Sequence, residues 1–232
     1  GATIISLSNV IESAIPRESD LTIYTRAGPE IGVAATKTFT TQVLSLAAIT
    51  VNLAFLNGSI DRMERKELLD QLSYAPKIAE KSIMVTEGII REFSRELSNK
   101  NNAYYLGRGI GVPVAMEGAL KLKEIAYIHA EAYPAGESKH GPIALVEQGF
   151  PVLFIIMDDN NYTHILGNIE EMSARDALTI GIVPEGDKEA SEKLTMVIKV
   201  PRSPWITSPI TYTPPLQLLA YYVCIERGYD PD

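Results

Sequence analysis

Glu117, Lys121 and Glu124 stand at helical spacing in the run Glu117-Gly118-Ala119-Leu120-Lys121-Leu122-Lys123-Glu124-Ile125. Side chains three and four residues apart share one face of a helix, so the three charges converge. Small and apolar neighbours (Ala115, Met116, Ala119, Leu120, Ile125, Ala126) cover most of the rest. A carboxylate in such a setting should have its pKa raised by desolvation, which makes it a better proton-transfer base near neutrality. The same spacing also suits an exposed salt-bridge ladder, which does no chemistry.

Just downstream, His129 to Pro142 reads as a loop, with Pro134, Gly136, Gly141 and Pro142 as its punctuation. It carries the cluster Glu137-Ser138-Lys139-His140, and a loop histidine is a candidate acid–base group because imidazole titrates near neutrality. A solvated His140 in a plain connector is the alternative, and His164 reads as a surface residue. Gly107-Arg108-Gly109 could bring a backbone close to a phosphate, but a lone GxG is a weak signal. With no Walker sequence and no two-histidine metal spacing, neither a nucleotide cofactor nor a metal is expected. Cys224, the only cysteine, excludes a disulfide framework and a cysteine zinc site. Its apolar neighbours make it a packed core thiol.

The elements that would carry these residues alternate. Thr3–Leu7 and Leu21–Thr25 read as parallel strands, followed by the glycine-bearing loop Ala27-Gly28-Pro29-Glu30-Ile31-Gly32 and a long apolar helix over 34–55. Residues 61–100 read as one or two amphipathic helices. Then come a strand at 103–106, a helix at 114–130, strands at 151–157, 178–183 and 194–200, and a helix at 168–176 between the first two of these. A closing helix over 213–227 ends the series, in a stretch that carries Pro204, Pro209, Pro214 and Pro215. This rhythm predicts an α/β, doubly wound parallel sheet, with ligands beyond the carboxyl ends of the strands. The loops after Thr25 and Leu106 are then the places to seek chemistry. The expected organisation is the end of one lobe over 1–60, a helical connector over 61–93 and a complete second lobe over 94–232.

Charge and composition narrow the function. The net charge is −8 over 232 residues, without a Lys/Arg-rich run, which argues against nucleic acid. A small anion remains acceptable, since one helix N-terminus can hold a phosphate. Val43–Leu56, the longest apolar stretch, contains Ser45, Thr50 and Asn52 and is shorter than the ~20 residues of a membrane span, so a buried helix is expected. There is no signal-peptide pattern, and a cytoplasmic location fits. The start at Gly1, with strand-like sequence almost at once, suggests a fragment or excised domain.

Three separated motifs carry a resemblance. Gly28 to Lys37, Gly118 to Glu124 and Gly136-Glu137-Ser138-Lys139-His140-Gly141-Pro142 occur in the order found in the isomerase (SIS) domain of the glutamine–fructose-6-phosphate aminotransferases. The likeness runs on through Pro214 to Tyr221 and Arg227 to Asp230. It implies two sugar-isomerase lobes in tandem, fructose 6-phosphate as substrate and glucosamine 6-phosphate as product. By this resemblance Glu124 is the base that moves a proton between C1 and C2, and Lys121 assists it. His140 matches the histidine that opens the sugar ring from the partner subunit, so a homodimer is implied. Val33 and Ala35 match positions whose backbone meets the sugar; Ala35 stands where the family usually has Ser, so a hydroxyl contact there is lost. The family's phosphate-binding loops, Schiff-base lysine and glutaminase domain have no counterpart in these residues. A glucosamine-6-phosphate deaminase or sugar-amine deglycase of the same fold, or a non-catalytic sugar-phosphate sensor, would share much of this pattern.

Overall fold

In this computed structural model, which describes residues 1–232, β1 (Ile5–Ser8) and β2 (Leu21–Tyr24) pair in parallel across the short helix α1 (Ala14–Arg17). They form a two-stranded sheet of their own. Helix α2 (Lys37–Leu56) follows. Its polar side chains fold back on the preceding turn: Ser45 Oγ, Thr50 Oγ1 and Asn52 Nδ2 donate to the carbonyls of Thr41, Leu46 and Ala48. By length and composition alone α2 could cross a membrane. It packs instead on α3 (Arg62–Ser73), where Leu44, Ala47 and Val51 meet Leu72 and Arg65 grips Asn52 Oδ1 from Nε and Nη2. The expected burial of this helix holds for one side only. Val51 is its single fully buried residue, and Leu46, Leu53 and Leu56 are exposed.

Asp61 starts α3 with a capping box, its carboxylate accepting from Met63 and Glu64 while Glu64 reaches back to the Asp61 N–H. Helix α4 (Ala75–Leu97) then leads into the main sheet. That sheet comprises β3 (Asn102–Gly107), β4 (His129–Pro134), β5 (Pro151–Ile155), β6 (Leu178–Pro184) and β7 (Met196–Val200), with α5 (Gly111–Ala126), α6 (Tyr162–Ser173), α7 (Lys188–Glu192) and α8 (Ser208–Glu226) between and after them. All five strands are parallel in the order β4-β3-β5-β6-β7. This is the expected α/β class.

Strand periodicity sorts the side chains into two cores. Tyr105, Leu153, Ile155, Ile180, Ile182 and Ile198 face α4, α5 and α8, joining Ile90, Leu97, Leu122 and Leu216. Tyr104, Leu106, Val152, Phe154 and Val183 face α6 and α7, joining Ile169, Met172 and Ala190. Cys224 is fully buried in the first core, and burial pushes its thiol up, with Asp230 adding to the effect.

Two expectations are corrected here. His129–Pro134 is a strand, not loop: it pairs with β3 from Asn102↔His129 to Gly107↔Pro134 and forms the sheet's edge. The closing helix starts at Ser208 and continues past Pro214 and Pro215. Pro215 cannot donate to the Thr211 carbonyl; Ser82 of α4 does so instead, at 2.7 Å in a buried position.

Candidate active site

Gly118 lets α5 lie deep between the sheet and α8. A Cβ there would stand 2.8 Å from Tyr105 Cε1 and from Leu216 Cδ1. The next turn therefore enters the core, and Lys121, on the same face as Glu117, is carried in with it. Lys121 is 3% exposed and Glu117 6%. The Lys121 ammonium donates to Glu124 Oε2 at 2.7 Å and lies 3.6 Å from Glu117 Oε1. Glu124, near the end of α5, keeps 32% of its side chain exposed. The exposed salt-bridge ladder is therefore not what these residues form; the ammonium is buried and one carboxylate reaches the surface.

The carboxyl that burial raises is Glu117. Desolvation pushes its pKa up, and the Lys121 charge and the neighbouring Gln217 offset only part of the rise. Sequence spacing placed Glu117 on the right face but could not say that it would be the buried one.

Gln217 links this helix to the loop after β2, since its Nε2 also donates to the Thr36 carbonyl at 3.4 Å. That loop holds Val33, exposed, and Ala35, half-buried. Glu30 fixes its shape, a role the sequence did not reveal. Its carboxylate accepts from the N–H and hydroxyl groups of Thr36 and Thr38 at the start of α2. Burial raises Glu30, but the hydrogen bonds from Thr38 and Thr36 and the charge of Lys37 outweigh it and hold the carboxyl below its ordinary value. The last residues of the chain close the arrangement. Tyr229 meets Tyr127 edge-on at 5.0 Å, three residues past Glu124, and Asp232 Oδ1 lies 3.2 Å from where a Cβ on Gly32 would sit. Tyr127 ends α5 in the left-handed conformation, with φ 53°. A cleft of about 380 Å³ opens beside Gln217, lined by Thr36, Lys37, Thr40, Thr41 and Pro76 among others.

His140 is elsewhere. It ends the 3-10 turn Ala135–His140, which follows the carboxyl end of β4, and its exposed imidazole makes no hydrogen bond within the chain. Glu124 lies on the helix that leads back to the amino end of β4. The six residues of β4, rising about 3.3 Å each, separate the two. The structure thus brings Lys121 and Glu124 together and leaves His140 at the opposite end of the sheet.

The carboxyl ends of the strands, where chemistry after Leu106 was expected, also carry a cleft, of about 350 Å³, lined by Ile110, Asp158, Asp159, Arg202 and Trp205 among others. The strand order reverses between β3 and β5, which is where an open sheet usually binds its ligand. Beside it, a Cβ on Gly109 would lie 2.9 Å from Asn161 Nδ2, and Arg108 turns towards Gly136 and Asn168. The Lys121–Glu124 pair lies towards the other end of the strands.

An ammonium shared by two carboxylates, one buried and one reaching solvent, can hold a proton at Lys121 while Glu124 accepts or returns another. A neighbouring carbonyl substrate would find a base and a charge-stabilising donor together.

Comparison with known proteins finds relatives along the whole chain. The SIS domain family model matches residues 1–52 and 96–227. A glutamine–fructose-6-phosphate aminotransferase (isomerizing) of Pyrobaculum aerophilum is 53% identical over the whole of this chain, which spans 38% of that relative. The enzyme of the same name from Sulfurisphaera tokodaii is 51% identical, again over the whole chain and 36% of the relative. Among solved structures, the C-terminal domain of glucosamine-fructose-6-phosphate aminotransferase from Francisella tularensis superposes with a TM-score of 0.93 at 38% identity, covering 98% of this chain and 64% of that one. Glucosamine-6-phosphate deaminase from Thermotoga maritima gives 0.71 at 26% identity, over 98% of this chain and 63% of that one.

Proposed function

The chain belongs to the SIS domain family, and on that premise we propose that it is the isomerase part of a glutamine–fructose-6-phosphate aminotransferase. It spans little more than a third of the curated relatives it matches; a glutaminase domain outside these residues supplies the ammonia. The observation that carries the reading is the Lys121–Glu124 contact of 2.7 Å, with the ammonium buried and the carboxylate reaching the surface.

In this reading fructose 6-phosphate opens first. His140 takes the proton of the anomeric hydroxyl and gives one to the ring oxygen as the C2–O5 bond breaks, leaving a C2 carbonyl that condenses with ammonia to an imine and releases water. Glu124 then moves a proton between C1 and C2, and Lys121 stabilises the charge that develops on oxygen. The backbone at Val33 and Ala35 meets the sugar. Because His140 and Glu124 lie at opposite ends of one sheet, each site takes its histidine from the partner of a homodimer. β1, β2 and α2 form the end of a first lobe, and residues 61–93 connect it to the second. The family match supports that division, since residues 53–95 lie between its two matched segments.

The test is an assay of the full-length protein with fructose 6-phosphate and glutamine. Glucosamine 6-phosphate should form in a glutamine-dependent way. Release of ammonia from glucosamine 6-phosphate, with no glutamine-dependent synthesis, would favour the deaminase. Binding of the sugar phosphate without either conversion would favour a sensor.

A further inference from the structure

We propose that Arg108 is a positioning residue for His140: with Asn168 and Glu171 it clamps the turn Ala135–His140, so that the imidazole projects from a fixed point. The proposal rests on reading His140 as the ring-opening group.

The turn is anchored along its length. Ala135 and Ser138 are fully buried, and Ser138 Oγ donates to the Ala135 carbonyl at 2.7 Å. Between them, Gly136 has no side chain, and the Arg108 guanidinium fills the space one would take. A Cβ on Gly136 would stand 2.9 Å from Arg108 Nη2 and 3.5 Å from its Cζ. The guanidinium is itself held. Its Nε donates to Asn168 Oδ1 at 3.0 Å, and Asn168, 2% exposed, donates from Nδ2 to Glu171 Oε2 at 2.9 Å. Glu171 Oε1 accepts from Lys139 Nζ at 2.7 Å, one residue before His140. The circuit therefore runs from the end of β3 through α6 and back into the turn.

His140 makes no hydrogen bond within the chain, so the backbone of its turn sets the point from which the imidazole projects. Gly141 leaves the turn at φ 146°, a conformation that only glycine adopts readily. A catalytic group displaced by about 1 Å can lose ~10²-fold in rate. Arg108 meets neither Glu124 nor Lys121, so its effect should be confined to the step that His140 performs.

That confinement is the test. In the full-length enzyme, kcat and KM are measured with fructose 6-phosphate and with its 5-deoxy analogue, which has no hydroxyl to close a furanose ring. Arg108→Ala should lower kcat on fructose 6-phosphate by about 10- to 100-fold, with KM nearly unchanged and turnover of the open-chain analogue largely spared. Gly136→Ala, which drives a methyl into the place of the guanidinium, should show the same split. Glu171→Gln should show it more weakly, and it serves if Arg108→Ala fails to fold. Equal losses on both substrates, or no loss on the ring form, overturn the proposal. His140→Ala separates this from failure of the underlying reading. If that variant loses both substrates equally, ring opening by His140 is wrong and Arg108 has no such step to support. If it discriminates and the Arg108, Gly136 and Glu171 variants do not, only the positioning role falls.

Discussion

Glu117 Oε1 and Lys121 Nζ lie 3.6 Å apart with both side chains withdrawn from water, 5% and 3% exposed. A carboxyl in that position is pulled two ways. Desolvation favours its neutral form and the ammonium favours its charged form; desolvation is the larger, so the folded protein holds Glu117 above the ordinary value of 4.5. A pKa raised by folding contributes stability that is full below the unfolded value and is lost as pH rises through the folded one. Glu117→Gln fixes a neutral group in the same space. The stability of that variant relative to the unmodified chain should therefore be flat below about pH 4.5 and increase above it. Urea unfolding between pH 4 and 8 measures the difference. A difference that shrinks with rising pH would mean that the Lys121 charge dominates.

The Ser82 hydroxyl takes the place of a backbone donor. It meets the Thr211 carbonyl that Pro215 leaves without an N–H, and both residues are fully buried. Ser82→Ala leaves that carbonyl unsatisfied in the core, at a cost of about 1–3 kcal/mol. Thermal unfolding should show a clear fall in Tm. An unchanged Tm would mean that another donor, such as a trapped water, meets the carbonyl.

These two pairs also mark where the sequence was legible. The long apolar helix, the buried strands β5 and β6 and the convergence of Lys121 with Glu124 follow from periodicity, because burial on one or both faces leaves a pattern in the residue types. β4 did not, since His-Ala-Glu-Ala-Tyr-Pro contains no β-branched residue and an edge strand needs only one partner. The early start of α8 was hidden by Pro214 and Pro215, which signal a break unless a distant side chain such as Ser82 repairs it. The burial of Glu117 was hidden for another reason. Spacing says which residues share a face, but the depth of that face depends on Gly118, Tyr105 and Leu216 meeting in three dimensions.

Glu124→Gln keeps the shape of the site and its hydrogen-bonding capacity towards Lys121 but removes the base. In the full-length enzyme it should reduce isomerisation by about 10²–10⁴-fold while sugar-phosphate binding, read by calorimetry, stays close to normal. Near-normal turnover by this variant would remove Glu124 from the mechanism. A loss of binding equal to the loss of rate would make it a ligand contact instead of a proton carrier.

The last prediction follows from the distance between His140 and Glu124 within one chain. One stands beyond the carboxyl end of β4 and the other near the end of the helix that leads into its start, with the length of the strand between them. No rotamer of either side chain spans about six residues of extended backbone. If both act on one sugar, they come from different subunits. His140→Ala should then cost about 10²–10⁴-fold with fructose 6-phosphate and much less with an analogue that is already open. Two inactive variants, His140→Ala and Glu124→Gln, should complement each other when their subunits are mixed. Each mixed dimer has one site with both residues intact and one with neither. Random exchange of equal amounts makes half of the dimers mixed, so activity should recover to about a quarter of the unmodified level. Native mass spectrometry of the same sample reports whether mixed dimers have formed. Mixed dimers with no recovered activity would show that His140 serves its own subunit or none, and the shared site would be wrong.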